Sequence, residues 1–356
     1  MLFRSLGDRA LQGYPAGEGE ATLTVRDSMD GARTSIDRSQ FKFSADGSKI
    51  EYAAGFIPGK IYELVYEAKD ATVVGLGPAA VRDYISYMKS RNEVRRAIAF
   101  GNSQSGRFLR TYLYDGFNAD EQGRRVFEGV WANVSGAGRG DFNYRFAQPS
   151  RSDGNYPIVM FPFTDDNQSD GSRTDGLLAK AKKDNVVPKI FYTNSSIEYW
   201  GRDAALIHMS IDGKKDVDTS ANTRIYYMTG APHGTNGQVV RNNTQNLANP
   251  LDYRLIMRAL LPALTEWVIE GKEPPASKVP RLDQDSLVSL NALAFPKIPG
   301  VRLPQEPTTP FRFDFGPEFL SKGVASVWPP SHNEPYAVRL PQTDADGNEI
   351  AGIRLP

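Results

Sequence analysis

Ser103 sits in Phe100-Gly101-Asn102-Ser103-Gln104-Ser105-Gly106-Arg107, between the apolar run Ala97-Ile98-Ala99-Phe100 and a stretch in which Phe108, Leu109, Tyr112 and Leu113 recur on one helical face. A serine on a tight strand-to-helix turn presents its hydroxyl as a nucleophile when small residues two positions to either side let strand and helix approach. Gly101 supplies the first small residue and Ser105 stands at the second, followed at once by Gly106. Ser105 is the poorer nucleophile, because its own flanking positions hold Ser103 and the bulky Arg107. The alternative reading is an ordinary helix N-cap, where serine is favoured.

A serine hydroxyl needs a base to take its proton and a carboxylate to orient that base. The chain has three histidines, His208, His233 and His332, and no cysteine. His208 falls among Leu206, Ile207 and Met209 and reads as structural, whereas His332 falls in a proline-rich tail and reads as surface. His233 follows the apolar run Ile225-Tyr226-Tyr227-Met228 by way of Gly230-Ala231-Pro232, at the C-terminal end of an expected strand. Glu198 follows Ile190-Phe191-Tyr192-Thr193 in the same way, and Asp203, one helical turn later, is its competitor as the acid. Serine, acid and histidine thus come in that order at three strand ends, the edge at which open α/β sheets carry their sites.

The elements that must position these groups alternate in type. Residues 21 to 68 read as strands separated by turns: Ala21–Val25, Lys49–Tyr52 and Ile61–Tyr66. Val81, Tyr84, Ile85 and Met88 then share one face of a helix ending near Asn92. Strand 97–100, the helix stopping at Gly116, and strands 127–134, 190–193 and 225–228 follow, with a helical stretch 203–211 before the last strand. A long helix from about Pro250 to Glu270 closes at Gly271. Such alternation predicts an α/β fold, a mostly parallel central sheet flanked by helices. Residues 138–176 form an insertion of the kind that makes a cap. The expected division is a catalytic domain over 1–271, with a β-rich portion 1–68, and a proline-rich extension 272–356 packed on the core.

The chain resembles the α/β-hydrolase superfamily over residues 60 to 271. More closely, it is similar to bacterial "alpha/beta hydrolase domain" proteins of mostly unassigned activity. That similarity is carried by Gly55-Phe56-Ile57-Pro58-Gly59-Lys60-Ile61-Tyr62-Glu63, Gly75-Leu76-Gly77, Ala79-Ala80-Val81-Arg82-Asp83, the elbow, and Asp344-Ala345-Asp346-Gly347-Asn348. That group continues past Pro356, which implies a chain shortened at its C-terminus. The elbow and Glu198-Tyr199-Trp200-Gly201 are also locally similar to glucuronoyl esterases.

The mechanism this implies is acyl transfer to water, with Ser103 attacking an ester carbonyl, His233 taking its proton and Glu198 holding the imidazole. The Gln104 amide is the natural first oxyanion donor, and the loop after strand 61–66 offers a second near Glu67 or Ala68. Trp200, Phe142, Tyr144 and Arg145 are candidate substrate-binding residues, with core packing as their alternative role. The same triad also suits an acyltransferase or a peptidase, and a hydrolase fold kept as a binding module is the non-catalytic alternative.

Composition excludes other classes. Lys and Arg number 42 against 42 Asp and Glu, so no basic excess suits the chain to nucleic acid. No apolar run approaches the roughly 20 residues of a membrane-spanning helix, and the first residues lack a signal-peptide stretch. A soluble protein with no membrane partner is expected, and its compartment stays open. There is no phosphate-binding Gly-rich loop, no His-Glu-x-x-His and no dinucleotide fingerprint, so no cofactor and no metal are expected. Asp165, Asp166, Asp170 and Asp175 read as a solvated acidic loop. Asp344 to Asn348 opens like a calcium loop, but Glu349 replaces the required glycine, and a turn is the better reading. A small-molecule ester is the expected partner.

Overall fold

The computed structural model describes residues 15–28, 31–69, 75–140, 160–235, 237–241, 244–327 and 330–355. The described residues fall into two compact units, one holding residues up to 76 and 313–333, the other 77–140, 160–312 and 334–355.

In the first unit, β1 (Ala16–Arg26) pairs antiparallel with β2 (Thr34–Ile36) on one side and β5 (Ile61–Ala68) on the other, and β3 (Phe41–Phe43) pairs with β4 (Ile50–Tyr52). Leu23, Phe41, Ile50, Tyr62 and Leu64 form its core. Glu63 is buried and accepts from the guanidinium groups of Arg26 and Arg33 at 3.0 and 2.6 Å, so its charge is paired.

The second unit holds the chemistry. It begins with α1 (Gly77–Ser90) and continues through β6 (Ile98–Asn102), α2 (Gln104–Asp115) and β7 (Gly129–Asn133). The short pair β8 (Gln168–Ser169) and β9 (Thr174–Asp175), α3 (Ala179–Lys183), β10 (Lys189–Ser195), α4 (Ser196–Gly201), β11 (Thr223–Met228) and α5 (Arg254–Glu270) follow. Four strands form a parallel sheet in the order β11-β10-β7-β6.

Strand alternation explains why both sheet faces are dry. Val130, Ala132, Ile190, Tyr192, Ile225 and Tyr227 pack into one core with Tyr112 and Leu113 of α2. The intervening Trp131, Phe191, Tyr226 and Met228 pack into a second core with Ile256, Leu260, Leu264 and Trp267 of α5. Sheets covered on both faces read as near-continuous apolar runs, as these strands do. The helices therefore flank the sheet as expected, and α2 stops at Gly116 in a left-handed conformation with φ 89°.

Three expectations change. The stretch 203–211 is not a helix but a single 3₁₀ turn, Ala204–Ile207, after Asp203 takes a left-handed φ of 53°. Its apolar residues are buried on all sides, so their spacing carried no helical face. The units also do not divide at residue 271. Residues after it extend the parallel sheet at β11, where the Lys278 carbonyl accepts from Tyr227 N at 2.9 Å and Lys278 N donates to the Ile225 carbonyl at 2.9 Å. The acidic residues, finally, are not all solvated. Asp165 is buried and accepts from the Tyr192 hydroxyl at 3.1 Å, and Asp170 is buried and accepts from the amides of Ser172 and Arg173. Among the described residues no cluster suited to a metal ion occurs, and no helix is long and apolar enough to cross a membrane.

Candidate active site

β6 ends at Asn102 and α2 begins at Gln104, which leaves Ser103 alone on the turn with φ 57° and ψ −115°. A non-glycine residue in that region is strained, and surrounding structure must hold it there. Ser103 N donates to the Asn133 carbonyl of β7 at 2.8 Å, and the Ser103 carbonyl accepts from Arg107 N at 3.0 Å. A Cβ on Gly101 would lie 2.3 Å from the Ser105 carbonyl oxygen, and one on Gly106 would lie 2.9 Å from Ser135 Cβ. The second small position therefore belongs to Gly106, whereas Ser105 is exposed and unconstrained in size. Gly101→Ala is expected to cost about 1–3 kcal/mol or more, because backbone rather than a side-chain tip must move. Ser105→Ala is expected to change the urea midpoint little, and parallel urea titrations compare the two.

β10 runs into α4 through Ser195, which sets up a capping box with Glu198 three residues on. Glu198 Oε2 accepts from Ser195 N at 2.8 Å and from Ser195 Oγ at 2.6 Å. The carboxylate is fully buried, and its other oxygen, Oε1, meets His233 Nδ1 at 2.5 Å. An ionised carboxylate only accepts, so Nδ1 carries the ring proton and Nε2 is left as the acceptor. His233 Nε2 lies 2.9 Å from Ser103 Oγ. The histidine backbone is held from α5, where the Tyr253 hydroxyl donates to the His233 carbonyl at 2.8 Å. Ser195 and Tyr253 were not among the sequence candidates. The Ser-x-x-Glu spacing marks the first, but nothing local to Tyr253 marks the second.

Beneath the elbow the strand ends are tied by side chains. Asn133 Nδ2 donates to Asn102 Oδ1, and Asn133 Oδ1 accepts from Thr193 Oγ1, both at 2.6 Å. These bonds lock the ends of β6, β7 and β10 together directly below Ser103.

The competing groups lie elsewhere. Asp203 is buried, its carboxyl oxygens have no hydrogen-bond partner among the described residues, and burial holds its carboxyl protonated well above the ordinary range. His208 is buried with Nε2 2.8 Å from the Tyr199 hydroxyl, and burial lowers its imidazole to about 4. The unfolded chain protonates this histidine near 6.5 while the folded chain does not. Its contribution is therefore complete above about pH 6.5 and is lost as the pH falls toward 4, by on the order of 3 kcal/mol. Urea midpoints at pH 7.5 and pH 5 are expected to show this loss, and His208→Gln, which cannot charge, to reduce it.

Of the remaining candidates, Gln104 is the first residue of α2, directly after Ser103. Glu67 and Ala68 are not in a loop. They are the last two residues of β5, because Ala16 pairs with Ala68 and extends the ladder. Phe142, Tyr144 and Arg145 lie outside the described residues. Trp200 is half-buried in α4, with its carbonyl accepting from Thr308 N at 2.9 Å. A cavity of about 1210 Å³ opens beside His233, lined from α4 by Ile197 rather than Trp200, and by Leu247, Arg302, Leu303 and Pro304.

With a serine, an acid and a base meeting at the ends of β6, β10 and β11, the comparison with known families becomes specific. Residues 74–356 match the family described as "Alpha/beta hydrolase domain". The chain belongs to this family. The alpha/beta hydrolase match runs past residue 271 and takes in both the tail motif Asp344–Asn348 and the residues that pair with β11. No curated protein matches the chain, and no solved structure does. The local likeness to glucuronoyl esterases is accordingly not shown.

Proposed function

We propose that this alpha/beta hydrolase family member is a serine hydrolase of carboxylic esters, working through Ser103, His233 and Glu198 and an acyl-enzyme intermediate. The observation that carries the reading is the continuous chain from Ser103 Oγ to His233 Nε2 at 2.9 Å and from His233 Nδ1 to Glu198 at 2.5 Å. Ser103 Oγ attacks the ester carbonyl as Nε2 takes its proton, and the imidazolium so formed is stabilised by the buried Glu198 carboxylate. The same Nε2–H then protonates the leaving alcohol. Water, deprotonated by Nε2, attacks the acyl-enzyme and releases the acid and Ser103.

The tetrahedral oxyanion takes the Gln104 amide as its first donor, supported by the N-terminal end of the α2 dipole. The cavity beside His233 is roomy enough for a drug-sized ester, with Ile197, Leu247 and Leu303 offering apolar contacts and Gln245, Asn246 and Arg302 polar ones. Trp200, on α4 two residues beyond Glu198, is proposed to contribute to substrate binding.

A fluorophosphonate probe tests the reading, since it reacts with an activated serine. Ser103 is expected to be the labelled residue on peptide mapping, with no labelling of folded Ser103→Ala. A p-nitrophenyl ester is expected to release a burst of about one nitrophenol per active site before steady turnover. A folded chain that neither labels nor bursts would leave the triad as an unused relic and the cleft as a binding site.

A further inference from the structure

The tail motif Asp344-Ala345-Asp346-Gly347-Asn348 forms a tight turn. Asp344 Oδ1 accepts from the amides of Asp346 at 3.0 Å and Asn348 at 2.9 Å, Gly347 has φ 84°, and Thr343 bridges antiparallel to Glu349. The chain then runs back beside β11. Ile353 N donates to the Tyr227 carbonyl at 2.7 Å, Thr229 N to the Ile353 carbonyl at 3.0 Å, and Thr229 Oγ1 to the Ala351 carbonyl at 2.6 Å. Gly352 is needed in this strap, since a Cβ there would lie 2.6 Å from the Tyr227 carbonyl oxygen.

Between turn and strap stands Glu349. Its Oε2 accepts from Ser196 Oγ at 2.7 Å and from Gly230 N at 2.6 Å. Ser196 is the first residue of α4, two before Glu198, and Gly230 lies two residues beyond β11 and three before His233. The β10–β11 ladder ends at the pair Ser195 and Met228, so both donors lie past the last strand pairing.

We infer that Glu349 is a positioning residue of the active site: one carboxylate oxygen ties the first residue of α4, the helix bearing the acid, to the loop bearing the base. The inference rests on the triad reading above. Glu198 is fixed to the end of β10 by Ser195, and the His233 loop is fixed by Tyr253, the N-cap residue of α5. Glu349 joins α4 to the His233 loop without touching a reacting atom, and so sets the separation at which Glu198 meets Nδ1. Bonds to an ionised carboxylate are the stronger kind, which suits a clamp between two elements. The Tyr227 hydroxyl, 3.0 Å from Ser196 Oγ, extends the clamp to β11.

Misplacing reacting groups by about 1 Å costs on the order of 100-fold in rate. Glu349→Ala is therefore expected to slow fluorophosphonate labelling of Ser103 by about 10- to 100-fold while the final labelled fraction stays at that of the parent chain. Glu349→Gln keeps a carbonyl oxygen for both donors and is expected to recover most of the rate. Ser196→Ala removes one arm and is expected to give a smaller loss that adds little to Glu349→Ala. An unlabelled parent chain would sink the triad reading itself. A labelled parent with folded Glu349→Ala reacting at the parent rate would overturn the inference alone, as would a lower labelled fraction at unchanged rate, which is the signature of a merely structural residue. If Glu349→Ala does not fold, Ser196→Ala decides by the same two readouts.

Discussion

Ser103→Ala is expected to lower kcat for p-nitrophenyl ester hydrolysis by on the order of a million-fold while leaving the fold intact. The serine side chain makes no cap bond to α2, so deleting its oxygen breaks the contact with His233 and no structural bond of the helix end. The strained φ of 57° is a property of the backbone and is unchanged in alanine. Melting temperature is therefore expected to move by no more than about 2 °C, equivalent to roughly 1 kcal/mol in a chain of this size. Because nucleophile and base act as one unit, adding His233→Ala to Ser103→Ala is expected to cost little more. The residual rate would come from the Gln104 amide and the cavity walls. Steady-state assays of the two single variants and the double variant check this, and a loss of only tenfold in Ser103→Ala would mean that another group is the nucleophile.

How far such an outcome could be anticipated from sequence differs by element. Strand 190–193 and strand 225–228 were legible because both sheet faces are buried, so each strand is a continuous apolar run ending in a polar loop. That Ser103, Glu198 and His233 could meet was legible for the same reason, since each lies shortly beyond the end of such a run. Ser105 was misjudged because the rule for small flanking residues counts positions, whereas the backbone here brings Gly106 against Ser135 and leaves Ser105 in solvent. The 3₁₀ turn at Ala204–Ile207 was hidden because residues buried on every side have no polar face to reveal a period. Turn residues marked off three strands between residues 21 and 68 but not β2 and β3, which are only three residues each, and the pattern fixes no partner, whereas these strands pair among themselves. Glu349 lay beyond reach altogether. Its partners Ser196 and Gly230 are more than a hundred residues away, and only the folded tail brings them together.

Glu198→Gln carries the other large effect, and its cause is a tautomer rather than a lost shape. In the folded chain Oε2 takes both donors of Ser195, and Oε1 faces the His233 Nδ1 proton. A glutamine satisfies Ser195 only by turning its single oxygen toward it, which presents its NH₂ group to Nδ1. A donor opposite Nδ1 forces the ring proton onto Nε2, where it points at Ser103 Oγ and cannot accept the hydroxyl proton. The expected result is a fall in kcat on the order of 10⁴-fold with KM little changed, the size seen when a triad carboxylate becomes an amide. Glu198→Asp keeps the charge but withdraws it by one methylene, so a smaller loss, about 100-fold, is expected. Asp203→Asn separates this account from its rival. Burial pushes its carboxyl well above the ordinary carboxylate range, and its oxygens bond neither His233 nor any other described residue, so activity is expected to stay within about two-fold of the parent chain. Steady-state assays of the three variants decide between the acids. A severe loss in Asp203→Asn alongside a mild one in Glu198→Gln would move the carboxylate of the triad to Asp203 and require His233 to turn away from the partner it now holds.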